Sequence, residues 1–135
     1  MAGAPSAKPF LYVVVRVVPR VERGERFNAG VVLLCSPLAF LGARVALDER
    51  RLAALAPDAR PESLRPHLDS IAAIAGGDAG GGPIARLDPT QRFHWLAAPA
   101  STIIQPSPIH TGICRDPAAT LDRLFAELVA AAGGG

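Results

Sequence analysis

Residues 10–18 read FLYVVVRVV, and this run constrains the chain more than any other. Branched Val side chains lose χ1 freedom in a helix and pack well on a pleated surface. A nearly continuous apolar run of this kind reads as a central strand covered on both faces, or with one face opened by Arg16. Pro19 is expected to end it, because proline has no N–H to give to a ladder. Two partner strands follow. Residues 28–35 (NAGVVLLC) are the second strand, where Gly30 points to a bulge or a close backbone approach. Residues 40–47 (FLGARVAL) are the third, with Arg44 reaching solvent. The link 19–26 (PRVERGER) is charged and pivots on Gly24, while 36–39 (SPLA) is short enough for a hairpin. Together the three make an antiparallel meander.

Helical signals come next. Asp48 suits the N-cap of a short helix stopped by Pro57. If Ser63 caps the second helix, Pro66 falls in its first turn, where a missing N–H costs little. Leu64, Leu68, Ile71 and Ala75 then form one stripe, and Gly76-Gly77 ends it. Residues 76–83 (GGDAGGGP) read as a flexible tip. They are not a phosphate loop, since no Lys-Ser or Lys-Thr follows. Asp88-Pro89-Thr90-Gln91 resembles a cap with Pro first and Gln third, opening one or two turns that end near Trp95. Residues 101–105 are extended, and Pro106 and Pro108 keep the following stretch irregular. Asp116-Pro117 opens the clearest helix, with Leu121, Leu124, Phe125, Leu128 and Val129 on one face. The sum is an α+β, two-layer sandwich: an antiparallel meander sheet of about four strands, with two main helices packed on one face. A single domain over 9–132 is expected, between flexible ends at 1–8 and 133–135.

Composition narrows the function classes. Half of the 135 residues are apolar, which excludes compositional disorder. A net charge of +2, without a basic stripe or interleaved aromatics, argues against nucleic acid. Residues 1–60 do carry nine basic residues against five acids, a mild hint of an anionic partner. All but one of the 14 basic residues are Arg, which with the heavy use of Ala and Gly fits a GC-rich genome as well as anion recognition. No run approaches the roughly 18 apolar residues that a membrane span needs. Residues 1–9 lack the apolar core of a signal peptide, and two Cys make no disulfide framework. A cytoplasmic, reducing setting with no membrane partner is the expectation.

Candidate functional residues concentrate in 92–112 (RFHWLAAPASTIIQPSPIHTG), which holds the only Trp and two of the three His. Sites are commonly built on loops held by a scaffold. His94 and His110 are weak candidates for a general acid–base pair, against the plainer reading that both serve local structure. His94, His110, Cys114 and Cys35 would make a poor zinc set, because Cys35 lies in an apolar strand, so neither metal nor cofactor is expected. Ser101, Thr102, Gln105, Ser107, His110 and Thr111 offer donors to a polar ligand or partner. Arg16, Arg20, Arg26 and Arg92 would complete an anion site through bidentate bonds, and Asn28 is a further ligand- or partner-binding candidate. Residues 105–109 (QPSPI) would alternatively serve as a pre-ordered docking strip, anchored by Trp95 with Ile103 or Ile104. The plainer reading puts Trp95 in the core and the hydroxyls in turns.

The segments YVVVRVVPRVERGERFNAGVVLLC, FLGARV with LDERRLAAL, and RFHWLAAPASTIIQPSPIHTG with DPAATLDRL resemble a bacterial family, DUF3037. The resemblance runs from about Phe10 to Leu128, and is most specific around Arg16, Asn28, Gly30 and 93–112. It implies no activity. For some members it implies a gene neighbour of the HipA-like kinase type, hence an accessory role. Two functional readings stand. The first is a binding or regulatory module that recognises a protein partner, kinase-like at best, through the 92–112 surface and the 19–28 connection. The second is a small enzyme or ligand-binding domain acting on a phosphorylated or nucleotide substrate, with His110 or His94 as acid–base and Arg as anion clamp.

Overall fold

The computed structural model describes residues 6–100 and 102–130. Five strands form one antiparallel sheet: β1 (Lys8–Arg20), β2 (Glu25–Cys35), β3 (Phe40–Val45), β4 (Ile104–Pro106) and β5 (His110–Cys114). The order is β3-β2-β1, with β4 and β5 placed end to end on the outer edge of β1. The helices are α1 (Glu49–Leu55), α2 (Pro61–Gly76), α3 (Pro89–Ala97) and α4 (Pro117–Phe125), the last continued by a π-type turn over Ala126–Ala130. The α+β class and the antiparallel meander are as the sequence indicates. The expected flexible ends fall, for 1–5 and 133–135, outside the described residues.

The layering differs from the expected two-layer arrangement. Val13, Val15 and Val17 pack with Leu52, Leu64, Leu68 and Phe93 of the first three helices. Phe10, Val31, Leu33 and Cys35 pack with Leu121, Leu124 and Val129 on the other face. Helices therefore cover both faces, with α4 alone on the second. Alternation along a strand sends successive side chains to opposite faces, so an unbroken apolar run needs cover on both.

A bulge makes this division possible in β2. Val15 pairs with Gly30 but Arg16 pairs with Asn28, so Ala29 is an extra residue. Below it Phe27 and Ala29 join Val32 and Leu34 on the α1–α3 side, while Asn28 turns towards α4. Gly30 is tied to this spot by close approach. A Cβ there would stand 2.8 Å from the Arg44 carbonyl oxygen and 2.9 Å from Val45 Cγ1.

Several boundaries move. β1 runs through Pro19 to Arg20, and Pro19 falls at a register irregularity between Val17 and Arg20, where a missing N–H is tolerated. α2 begins at Pro61 rather than after Ser63, so Pro61 takes the first-turn position and Pro66 lies inside the helix. The stretch expected to be a flexible tip winds into 3-10 turns over Ala79–Arg86, with Gly82 at φ 70°. Asp48, Asp88 and Asp116 each accept a backbone N–H three residues on, as capping residues do. The stretch after Pro108, expected to be irregular, yields β5, which pairs with β1 from Lys8 to Tyr12. Proline restricts its own residue and the one before it, and that restriction ends before His110.

Candidate functional site

The stretch 92–112 divides into two structural units. The first unit begins with α3. Asp88 and Gln91 form a reciprocal capping box, and Pro89 sits at the first helical position. Phe93 is fully buried in the core, while Leu96 and Ala97 pack against its edge. Arg92 donates from Nη1 to the carbonyls of Ile74 and Ala75, 3.0 Å each. Those carbonyls lie in the last turn of α2, where Gly77 takes the left-handed conformation at φ 70° and gives its own N–H to the Ile74 carbonyl. A guanidinium committed in this way docks α3 on α2 and leaves the anion-clamp assignment without Arg92.

With α3 fixed, Trp95 points away from the core and is 56% exposed. This overturns the expectation of a core Trp. Its indole forms one wall of a groove of about 410 Å³ on the α1–α3 face of the sheet. Leu96, Pro99, Ile104 and Pro106 continue the near side, and Val15 of β1 contributes from the sheet. Ser70, Ile71 and Ile74 of α2 form the far side, with His67 at one end. The lining is mainly carbon, and Thr102, Ser70 and His67 are its polar points.

Local bonds consume most of the remaining polar candidates. Thr102 donates from Oγ1 to the Ile104 carbonyl at 2.7 Å, and Gln105 donates from Nε2 to the Thr102 carbonyl at 2.8 Å. Ser107 is 3% exposed. Its Oγ accepts the Val14 N–H at 2.8 Å and donates to the Pro108 carbonyl at 2.8 Å, while its own N–H reaches the Val14 carbonyl. The hydroxyl thus replaces a ladder acceptor at the break between β4 and β5, where Val14 N–H would otherwise be buried unpaired. Ser101 lies outside the described residues.

The histidines and the remaining candidates are dispersed. His94 is exposed on α3, edge-on to Phe93 at 5.6 Å. His110 is exposed on β5 and stacks on Tyr12 at 5.0 Å. Neither lines the groove. Thr111 is exposed on the edge strand, and Arg20 is exposed at the end of β1. Asn28 donates from Nδ2 to the Leu128 carbonyl at 2.8 Å, holding the π-type turn to the sheet. Arg16 is half-buried on that same face. Burial lowers its guanidinium pKa, and the nearby charge of Arg26 lowers it further. Cys35 and Cys114 are both buried on the α4 side, as free thiols. Burial, chiefly, pushes the Cys114 thiol above its ordinary pKa, which favours the unreactive protonated form.

Sequence reasoning missed the α2 wall. His67, Ser70, Ile71 and Ile74 fall at i, i+3, i+4 and i+7, a stripe beside the core stripe of Leu64 and Leu68. That periodicity was available, but one more apolar position next to a core stripe looks like core.

Fold and site together define an α+β protein with an apolar surface groove under an exposed Trp. Among the described residues no group of three or more His, Cys, Asp or Glu could hold a metal ion, and no helix is long and apolar enough to cross a membrane. Residues 12–129 match the model of DUF3037, a protein of unknown function, and the chain belongs to that family. No curated protein and no solved structure matches it.

Proposed function

We propose that this protein is a binding or regulatory module of the cytoplasm that recognises a partner protein through the groove between α2 and residues 95–106. One observation carries the reading: Trp95 is 56% exposed on the wall of a mainly apolar groove. A monomer gains nothing by leaving its one indole in water, whereas Trp buried in a partner's pocket is a common source of binding energy. The groove stands on two helices that are docked by Arg92, so its shape is pre-formed and little ordering entropy opposes binding.

A HipA-like kinase from the same host is the first partner to test, because the family resemblance implies such neighbours. Co-purification of that kinase with wild type and with a Trp95→Ala variant decides the matter. The variant should lose the kinase while keeping its melting temperature. Equal recovery on both baits, or no recovery on wild type, would overturn this assignment of partner and surface. The enzyme reading needs an imidazole and a guanidinium facing one concavity. His67 lines the groove but no arginine does, so no observation favours that reading here.

A further inference from the structure

The opposite face of β4 holds a second polar constellation. Ile104 and Pro106 line the groove, so Gln105 between them turns to the α4 side. Gln105 pairs across the strands with Arg16, and Arg16 pairs on its other side with Asn28. Directly opposed residues share a face, and Asn28 is fixed to the α4 face by its bond to Leu128. Arg26, two residues before Asn28 on β2, shares that face too, while Phe27 between them enters the other core. Two guanidiniums and two carboxamides are thereby gathered on one patch of sheet beside the end of the C-terminal helix.

The charges on this patch are uncompensated. Among the described residues neither Arg16 nor Arg26 makes an ion pair or a side-chain hydrogen bond. The neighbouring Glu25 is held by Arg23 at 2.9 Å, and Glu22 is exposed without an ion pair to either arginine. Arg16 is half-buried, and both influences on its guanidinium, burial and the Arg26 charge, disfavour the cation. A half-buried guanidinium beside a second, exposed one disfavours the cation, and a ligand of opposite charge relieves it. A carboxylate carries one charge and satisfies one planar fork. A phosphate monoester carries close to two charges near neutral pH and offers three oxygens, enough for both forks. The Asn28 and Gln105 amides each keep one N–H beyond the bond already made, so neutral donors flank the cations.

We propose that Arg16 and Arg26, flanked by Asn28 and Gln105, form a binding site for a phosphate monoester. The site lies across the sheet from the groove and is independent of it.

Calorimetric titration in about 0.15 M salt, where unspecific surface attraction is largely screened, tests the proposal. The probes are inorganic phosphate, a nucleoside monophosphate and O-phosphoserine. Wild type should bind at least one of them saturably. Arg26→Gln should weaken binding about tenfold or more, the scale of one charge-assisted bond lost. Arg16→Gln should abolish it, and Arg50→Gln, on the exposed side of α1, should leave it unchanged. Equal binding of all three probes identifies the phosphate group alone as the ligand. Tighter binding of one ester adds contacts to its alcohol portion. If Arg16→Gln fails to fold, Arg26→Gln still decides, since Arg26 is exposed. No saturable binding by wild type, or undiminished binding in Arg26→Gln, overturns the site. Trp95→Ala should retain phosphate binding, so this failure is distinct from failure of the groove reading.

Discussion

The segment around Trp95 and the segment around Ser107 invert what their side chains suggest. The indole, the largest apolar group in the chain, stands in solvent, and the small hydroxyl is buried. At Ser107 the backbone sets the requirement. β4 and β5 are out of register by one residue, Val14 offers an N–H into the gap, and only a polar side chain can accept it without loss. At Trp95 the backbone requires nothing. α3 spends Phe93 on the core and Arg92 on α2, and the residue that remains on the outer flank is free to serve a partner. A buried polar residue here is architecture, and an exposed apolar one is the candidate for function.

That contrast is tested by substitutions of graded effect. Phe93→Ala removes a fully buried ring shared by α3 and the sheet, and should cost about 3–5 kcal/mol, read as a large fall in denaturation midpoint. A smaller fall would show that α3 is held chiefly by Arg92. Ser107→Ala strands the buried Val14 N–H and should cost about 1–3 kcal/mol. Amide exchange at Val14 should then quicken well before global unfolding. Gly112→Ala would set a Cβ 2.4 Å from the Phe10 ring. The repacking should cost about 1–3 kcal/mol, and proton shifts of the Phe10 ring would report it. Trp95→Ala should alter stability by no more than about 0.5 kcal/mol, visible only as lost partner binding. If Trp95→Ala destabilises more than Ser107→Ala, the contrast is wrong.

Much of the architecture was legible because local and global signals agree. The valine run, the charged Gly24 turn, the SPLA hairpin and the Asp-Pro caps each specify one local conformation, and the tertiary structure keeps it. What escaped is non-local. β5 carries no strong strand signal: its five residues HTGIC become a strand because β1 offers an open edge. The third layer followed from two-faced burial of the valine run, yet nothing in the α4 stripe says which face it will take. For the site, density of polar residues over 92–112 was a poor guide. Thr102, Gln105 and Ser107 are drawn into local bonds by the turns that the prolines impose, and Arg92 is drawn to a helix end. The groove wall from α2 could not be seen from 92–112 at all, since it depends on how two helices dock.

The outer edge of β1 has a consequence for how the chain is made. Lys8–Arg20 leaves a ribosome before each of its partner strands, and one side of it is closed early by β2. Its other side waits for Ile104–Pro106 and His110–Cys114, which arrive roughly a hundred residues later. Until those residues emerge, a valine-rich strand presents unpaired N–H and C=O groups, the template on which chains aggregate. Closing so long a loop is slow as well as late. Nascent chains halted before residue 104 should therefore bind a holdase chaperone, and release should coincide with emergence of β5.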